Sequence, residues 1–135
     1  MKLNPDCIRD VLMALEGITD GRTSYTFHSF EGFIDYFSLT SYTADEVEYH
    51  LRQCDRNGFL VGAQFSCSGE FTIIDISPKA HEFLANIRSD TVYKAVKERL
   101  GKIGVFSLKA LVDVGKAVAT EFITNGLSGG MSPNP

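Results

Sequence analysis

The stretch of this chain that most constrains its fold begins at Thr43 and ends at Gly58. Thr43 and Glu46 stand in the T-x-x-E spacing of a capping box, in which the hydroxyl accepts from a backbone N–H three residues on and the carboxylate reaches back to the N–H of the cap. Tyr42 and Val47 occupy the staple positions across that start. Val47, Leu51 and Cys54 recur at helical spacing, and Asn57-Gly58 supplies the left-handed residue that ends many helices. The segment predicts a helix marked at both ends, with Glu48, Tyr49, Arg52, Gln53 and Arg56 turned outward. Directly afterwards the apolar period changes to two. Phe59, Val61, Ala63 and Phe65 alternate onto one face, Ser68-Gly69 supplies a turn, and the β-rich run Phe71 to Ile76 follows, so a hairpin is expected.

The elements before this point are shorter. Asn4 as cap, Pro5 at the first helical position and the stripe Ile8, Val11, Leu12, Leu15 predict a first helix that stops at Gly17. Tyr25 and Phe27 alternate around Thr26 as a brief strand. Phe30, Phe33, Ile34 and Phe37 then follow the spacing of a short second helix, with a turn at Ser38 to Ser41. After the hairpin, Ser77-Pro78 opens a fourth helix carrying Ala80, Phe83, Leu84 and Ile87. A fifth begins near Ser89 or Asp90 with Val92, Val96 and Leu100 inward, and Gly101 and Gly104 separate it from a sixth running from Ser107 to about Thr124.

Helix, short strand, helix, helix, hairpin is the element order of a winged helix. The expected fold is therefore α+β and mostly helical. A winged helix-turn-helix core covers residues 1–88, and a helical extension of the same domain covers 89–125. The Gly-, Ser- and Pro-rich end, 126–135, reads as a disordered tail. With 44% apolar and 22% charged residues the composition is that of an ordinary soluble domain. The N-terminus has no apolar run of a secretory signal, so the expected location is the cytoplasm. The most apolar stretch, Leu108 to Ile123, is broken by Lys109, Asp113, Lys116 and Glu121, which argues against a membrane span.

Three blocks carry a family resemblance: MKLNPDCIRDVL at the start, YTADEVEYHLRQCDRNGFL through the third helix, and HEFLANIRSDTVYKAVKERL after the hairpin. Together they resemble the bacterial and phage-associated family known as domain of unknown function 2513. The resemblance implies a winged-helix-like fold and a home in prophages or mobile elements. It implies no activity and transfers no functional residues. Ala80 and Tyr93 depart from the glycine and tryptophan expected of the family.

The function classes are weighed on charge and motif. No G-x-G-x-x-G, G-x-x-x-x-G-K-[ST] or H-E-x-x-H occurs, and the pairs His81-Glu82 and Asp45-Glu46 point to different sides of their helices, so no enzyme and no cofactor is expected. Cys7, Cys54 and Cys67 are far apart and read as buried thiols, and with His28, His50 and His81 scattered no metal site is expected. The leading reading is a DNA-binding transcriptional regulator, in which Tyr49, Arg52, Gln53 and Arg56 would face the groove, with Lys94 and Lys97 on phosphate.

That role demands positive charge, and the third helix sets Arg52 and Arg56 against Asp45, Glu46, Glu48 and Asp55. The hairpin has no Lys or Arg between Val61 and Ile76. Residues 1–87 carry 6 basic against 13 acidic side chains, and residues 88–135 carry 7 against 4. The alternative is a protein-interaction module, or a phage accessory factor that binds a host or defence protein. The sixth helix is apolar on more than one face, and a homodimer through Leu108, Leu111, Gly115, Val118, Ala119 and Phe122 is expected, Gly115 and Ala119 letting a second helix approach closely.

Overall fold

The computed structural model describes residues 1–128, with side chains through residue 125. The first helix, α1 (Pro5–Glu16), starts where the Asn4 side chain accepts from the Asp6 N–H at 3.0 Å, and it buries Cys7, Ile8, Val11, Leu12 and Leu15 along one stripe. The loop that follows is held by Asp20. Its carboxylate accepts from the N–H groups of Arg22 and Thr23 and from the Thr23 hydroxyl, bonds to the charged form that pull its pKa down to about 2. That loop delivers the chain into β1 (Tyr25–Phe27).

The second helix, α2 (Phe30–Phe37), forms despite Gly32, because Ser29 caps it and Phe30, Phe33 and Ile34 are buried. It ends at Ser38, whose φ of 57° closes the turn. In α3 (Ala44–Arg56) both bonds of the capping box are present, Glu46 N–H to Thr43 Oγ1 at 3.2 Å and Thr43 N–H to Glu46 Oε1 at 3.0 Å. Val47, Leu51 and Cys54 are fully buried on its inner side.

The hairpin consists of β2 (Leu60–Val61), β3 (Gln64–Phe65), β4 (Phe71–Ile73) and β5 (Asp75–Ile76). Leu60 pairs with Ile76 and Val61 with Asp75; further out, Gln64 pairs with Thr72 and Phe65 with Phe71, in the same register. The two short ladders are thus one hairpin interrupted at Gly62. Gly62 has φ of +66°, and a Cβ there would lie 2.5 Å from Ile74 Cδ1, so only glycine lets Ile74 cross the break. On its outer half β4 also pairs antiparallel with β1, which makes a three-stranded sheet in the order β1-β4-β3.

The expected alternation from Phe59 through Val61 is corrected here. Phe59 and Leu60 are both buried while Val61 is 42% exposed. Phe59 belongs to the turn after α3, where its N–H is bonded to the Cys54 carbonyl, so within β2 Leu60 faces inward and Val61 outward, while Ala63 and Phe65 keep the expected side.

α4 (Pro78–Ile87) begins at Ser77, whose hydroxyl donates to the Gly58 carbonyl at 2.6 Å and accepts from the Ala80 N–H. The chain divides within α4 into two compact units, Met1–Glu82 and the part from Phe83 onward. In the second unit, α5 (Asp90–Ile103) is capped by Ser89 and stopped by Gly104 at φ of 77°, with Gly101 inside the helix. α6 (Leu108–Ser128) starts at Ser107, which accepts from the Ala110 N–H. It runs past residue 125, and positions 129–135 of the expected tail lie outside the described residues. Arg99 of α5 and Glu121 of α6 form a two-bonded ion pair at 2.7 and 2.8 Å. The architecture is α+β and mostly helical, with six helices and small antiparallel sheets among the described residues. No described helix is long and apolar enough to cross a membrane.

Candidate functional site

The first unit offers two outward surfaces with side chains that could do chemistry or binding: the outer face of α3, and the surface where β1 meets α2. On α3, Arg52 is the central cation, and it is already engaged. Its Nε donates to Glu48 Oε2 at 2.9 Å, one turn back, and its guanidinium carbon lies 4.7 Å from the centroid of the Phe65 ring on β3. The arginine therefore ties the helix to the hairpin and has its charge answered by a carboxylate.

The neighbours of Arg52 are arranged in the same local way. Tyr49 is half-buried with its ring edge-on to His50 at 5.0 Å, Gln53 is half-buried, and Arg56 is exposed at the end of the helix. These four residues do share one element of the first unit. Lys94 and Lys97 belong to the second unit, where both are exposed on α5 and the Lys97 ammonium stands 5.5 Å from the Tyr93 ring.

The inner side of α3 carries a residue whose role the sequence did not disclose. His50 is 1% exposed. Its Nδ1 lies 2.6 Å from the Glu46 carbonyl, to which it must donate, and its Nε2 accepts from the Asn4 N–H at 2.7 Å. Those two bonds specify the neutral ring with the proton on Nδ1, and burial lowers the pKa. Nearby, Tyr42 donates to Asp10 Oδ2 at 2.7 Å, which together with burial raises its phenol pKa. Both contacts fasten the N-terminal half of α3 to α1.

The second surface is aromatic. Phe27, Phe30, Phe65 and Phe71 stack with their planes within 24° of one another in the pairs Phe30–Phe71 (4.5 Å), Phe27–Phe71 (5.2 Å), Phe65–Phe71 (5.8 Å) and Phe30–Phe65 (6.5 Å). Phe33, Tyr36 and Phe37 extend the cluster by edge contacts to Phe27 or to one another. Phe71, 1% exposed, is at its centre, and Tyr36, 68% exposed, is at its rim. Beside that rim lies a cleft of about 330 Å³ lined by Ile18, Tyr25, Thr26, Phe27, His28, Gly32 and Tyr36. The Tyr25 hydroxyl donates to the Ile18 carbonyl at 2.8 Å, which fixes one end, and His28 pairs with Glu70 of the hairpin at 3.2 Å. The sequence does carry a signal for this surface, since six of the fifteen aromatic residues fall between positions 25 and 37.

One expectation is corrected. Cys7 and Cys54 are buried, and burial pushes the Cys7 thiol up to about 12 and raises that of Cys54 as well, but Cys67 is exposed at the hairpin turn. The stripe assigned to a dimer interface is covered within the chain: Leu108, Leu111, Gly115, Val118 and Ala119 are all buried, and Phe122 alone of the six is exposed, at 41%. The close approach that Gly115 permits is used by α4, because a Cβ at Gly115 would lie 3.0 Å from Ile87 Cγ2 and 3.9 Å from Phe83 Cε1. Among the described residues no three His, Cys, Asp or Glu side chains gather as a metal-binding set.

Comparison with known proteins places this architecture among uncharacterised chains. An uncharacterised protein of Haemophilus influenzae is 27% identical over 126 residues, which cover 91% of this chain and 99% of that one. No solved structure matches. Residues 2–106, which include α1, the whole hairpin and α5, match the family described as "Hypothetical protein (DUF2513)", and the chain belongs to that family.

Proposed function

We propose that this chain is a non-enzymatic winged-helix module that works by binding another protein, as an accessory factor of phage or prophage type directed at a host or defence protein. The winged-helix arrangement is part of the proposal. It is supported by the order α1-β1-α2-α3-hairpin and by β1 joining the hairpin through β4. The phage setting rests on the family resemblance, and a cytoplasmic location goes with it.

One observation carries the choice of a protein over DNA. Arg52, at the middle of the helix that such domains present to a groove, is held by Glu48 and by the Phe65 ring. Affinity for duplex DNA comes chiefly from cations that displace counterions at phosphates. Using Arg52 that way would strip it from Glu48 and leave the carboxylate facing the backbone, while the hairpin brings no Lys or Arg of its own.

A DNA-binding regulator is the second reading. Arg56 favours it, exposed on the same helix as Gln53 and Tyr49. Gel-shift measurements against mixed-sequence duplexes at low salt separate the two. The protein-binding reading expects no salt-sensitive shift. A shift that Arg52→Ala plus Arg56→Ala abolishes would overturn it in favour of DNA.

A further inference from the structure

We infer that His50 and the main chain of Asn4 form an acid-operated clasp, in which the neutral ring holds the N-terminal segment and the cap of α1 against α3, and a proton on the ring lets them go. The clasp stands apart from whatever the chain binds. Both ring nitrogens are in use. Nδ1 donates to the Glu46 carbonyl at 2.6 Å, so Nε2 keeps its lone pair, and that pair accepts the Asn4 N–H at 2.7 Å. An imidazolium donates from both nitrogens. Protonation would leave the bond to Glu46 intact and set one N–H against another across 2.7 Å, on a ring 1% exposed, with no solvent side on which to relieve the conflict. His50 can therefore take up a proton only as Asn4 withdraws.

Asn4 is a residue whose withdrawal undoes several contacts at once. It is the N-cap of α1, its side chain accepting from the Asp6 N–H at 3.0 Å and its carbonyl from the Ile8 N–H at 3.2 Å. Pro5 follows and has no N–H, so the next residue cannot take over the lost contact. Ahead of Asn4, Leu3 is buried, while Met1 and Lys2 are exposed. Further along, Val11, Leu12 and Leu15 are fully buried and keep α1 in place, so the release is confined to residues 1–4 and the first turn.

Burial opposes the charged ring most, and Glu46, on the same helix, is the charge that favours it. The Glu46 carboxylate is itself engaged by the Thr43 N–H. From α1 come Asp6, Arg9 and Asp10, with Asp10 holding the Tyr42 hydroxyl, and the Cys7 thiol, which burial keeps neutral. α2 brings Glu31, Asp35 and Tyr36 at exposed positions, and β2 brings no titratable group. The folded ring thus holds a proton less readily than a free histidine. The clasp is closed at neutral pH, and opening sets in as pH falls below 6.5, because the open form takes the proton first.

An NMR titration of the full chain from neutral to weakly acidic pH tests the clasp. At neutral pH the ring is expected to carry its proton on Nδ1. A common midpoint below 6.5 should then follow, at which the ring is protonated and the Asn4 and Asp6 amides move to unfolded-chain values, while the Leu12 and Leu51 methyl signals stay native. Through that transition the ratio of open to closed chain rises by up to about tenfold per pH unit, the limit for one proton. In His50→Gln, which cannot titrate, the Asn4 and Asp6 amides show no such transition. A ring that takes its proton with the Asn4 amide unmoved overturns the clasp. So does loss of the native Leu12 and Leu51 signals at the same midpoint, which would make the event unfolding, and so does a transition that persists in His50→Gln. If that variant fails to fold, the wild-type titration decides by itself.

Discussion

The outer face of α3 and the surface between β1 and α2 are built from adjoining parts of one unit, yet they end in opposite conditions. On α3 the charged groups answer one another: Glu48 takes Arg52, and Arg52 in turn covers the Phe65 ring. Along β1 the backbone edge has no strand partner among the described residues, and Tyr36 leaves most of its ring in solvent. The difference teaches that an outward helix face is not by necessity an open one. A face whose side chains satisfy each other has little left to offer a ligand, whereas an unpaired edge beside an apolar cleft gains hydrogen bonds and burial when something docks.

The strongest way to break this contrast is to remove what supports both faces. Phe71→Ala empties the centre of the aromatic stack and should cost roughly 3–5 kcal/mol in denaturant unfolding, the range for truncating a buried Phe. A smaller loss would mean that the two faces do not share a core.

Next in size is the inner side of α3. His50 is neutral in the fold with its pKa lowered below 6.5. Above that value folded and unfolded chains are both unprotonated there and stability is at its plateau. As pH falls through 6.5 the unfolded chain takes up the proton first, so stability declines until the lowered pKa of the folded state is reached. His50→Gln should remove that slope and lower the plateau by about 1–3 kcal/mol, the cost of orphaning a buried partner. Melts recorded across the weakly acidic range read both effects.

Thr43→Ala tests how much the local cap contributes to holding α3 in place, with an expected loss of about 1 kcal/mol. Arg52→Ala should cost no more than about 1 kcal/mol, because both its contacts are partly solvated. It sharpens the comparison directly: on the protein-binding reading it leaves DNA retention unchanged at low salt. The smallest stability effect is expected for Tyr36→Ala, about 0.5 kcal/mol, because the ring is mostly in solvent and keeps only edge contacts to Phe27 and Phe37. A large loss there would show that the rim of the cleft is structural and not open.

Much of this was legible in the chain because it is local. The capping box at Thr43, the stop at Gly58, the stripe of α1 and the brief strand at Tyr25 depend on residues a few positions apart, and the structure carries them as read. Alternation counted from Phe59 turns Val61 inward, and only the pairing of Leu60 with Ile76 tells which residue begins the strand. The candidate site divides in the same way. That Arg52 and Glu48 are a turn apart is visible in the sequence, but that Phe65 lies under the guanidinium is not, since thirteen positions and the turn after α3 separate them.

The sequence alone thus determined the helices, the hairpin, the mostly helical α+β class and the shortage of positive charge on the third helix. Each follows from capping chemistry, apolar period or composition, which act over neighbouring residues. Tertiary structure decided where the apolar surfaces went. It buried the stripe of α6 from Leu108 to Ala119 within the chain, with Gly115 meeting Ile87 of α4, and it gave His50 the backbone of Asn4. It also left the edge of β1 without a strand partner among the described residues, beside Gly32 and Tyr36. A periodic pattern states that a face will be covered or a group bonded, but the partner is set by packing between residues distant in the chain, and no local rule carries that information.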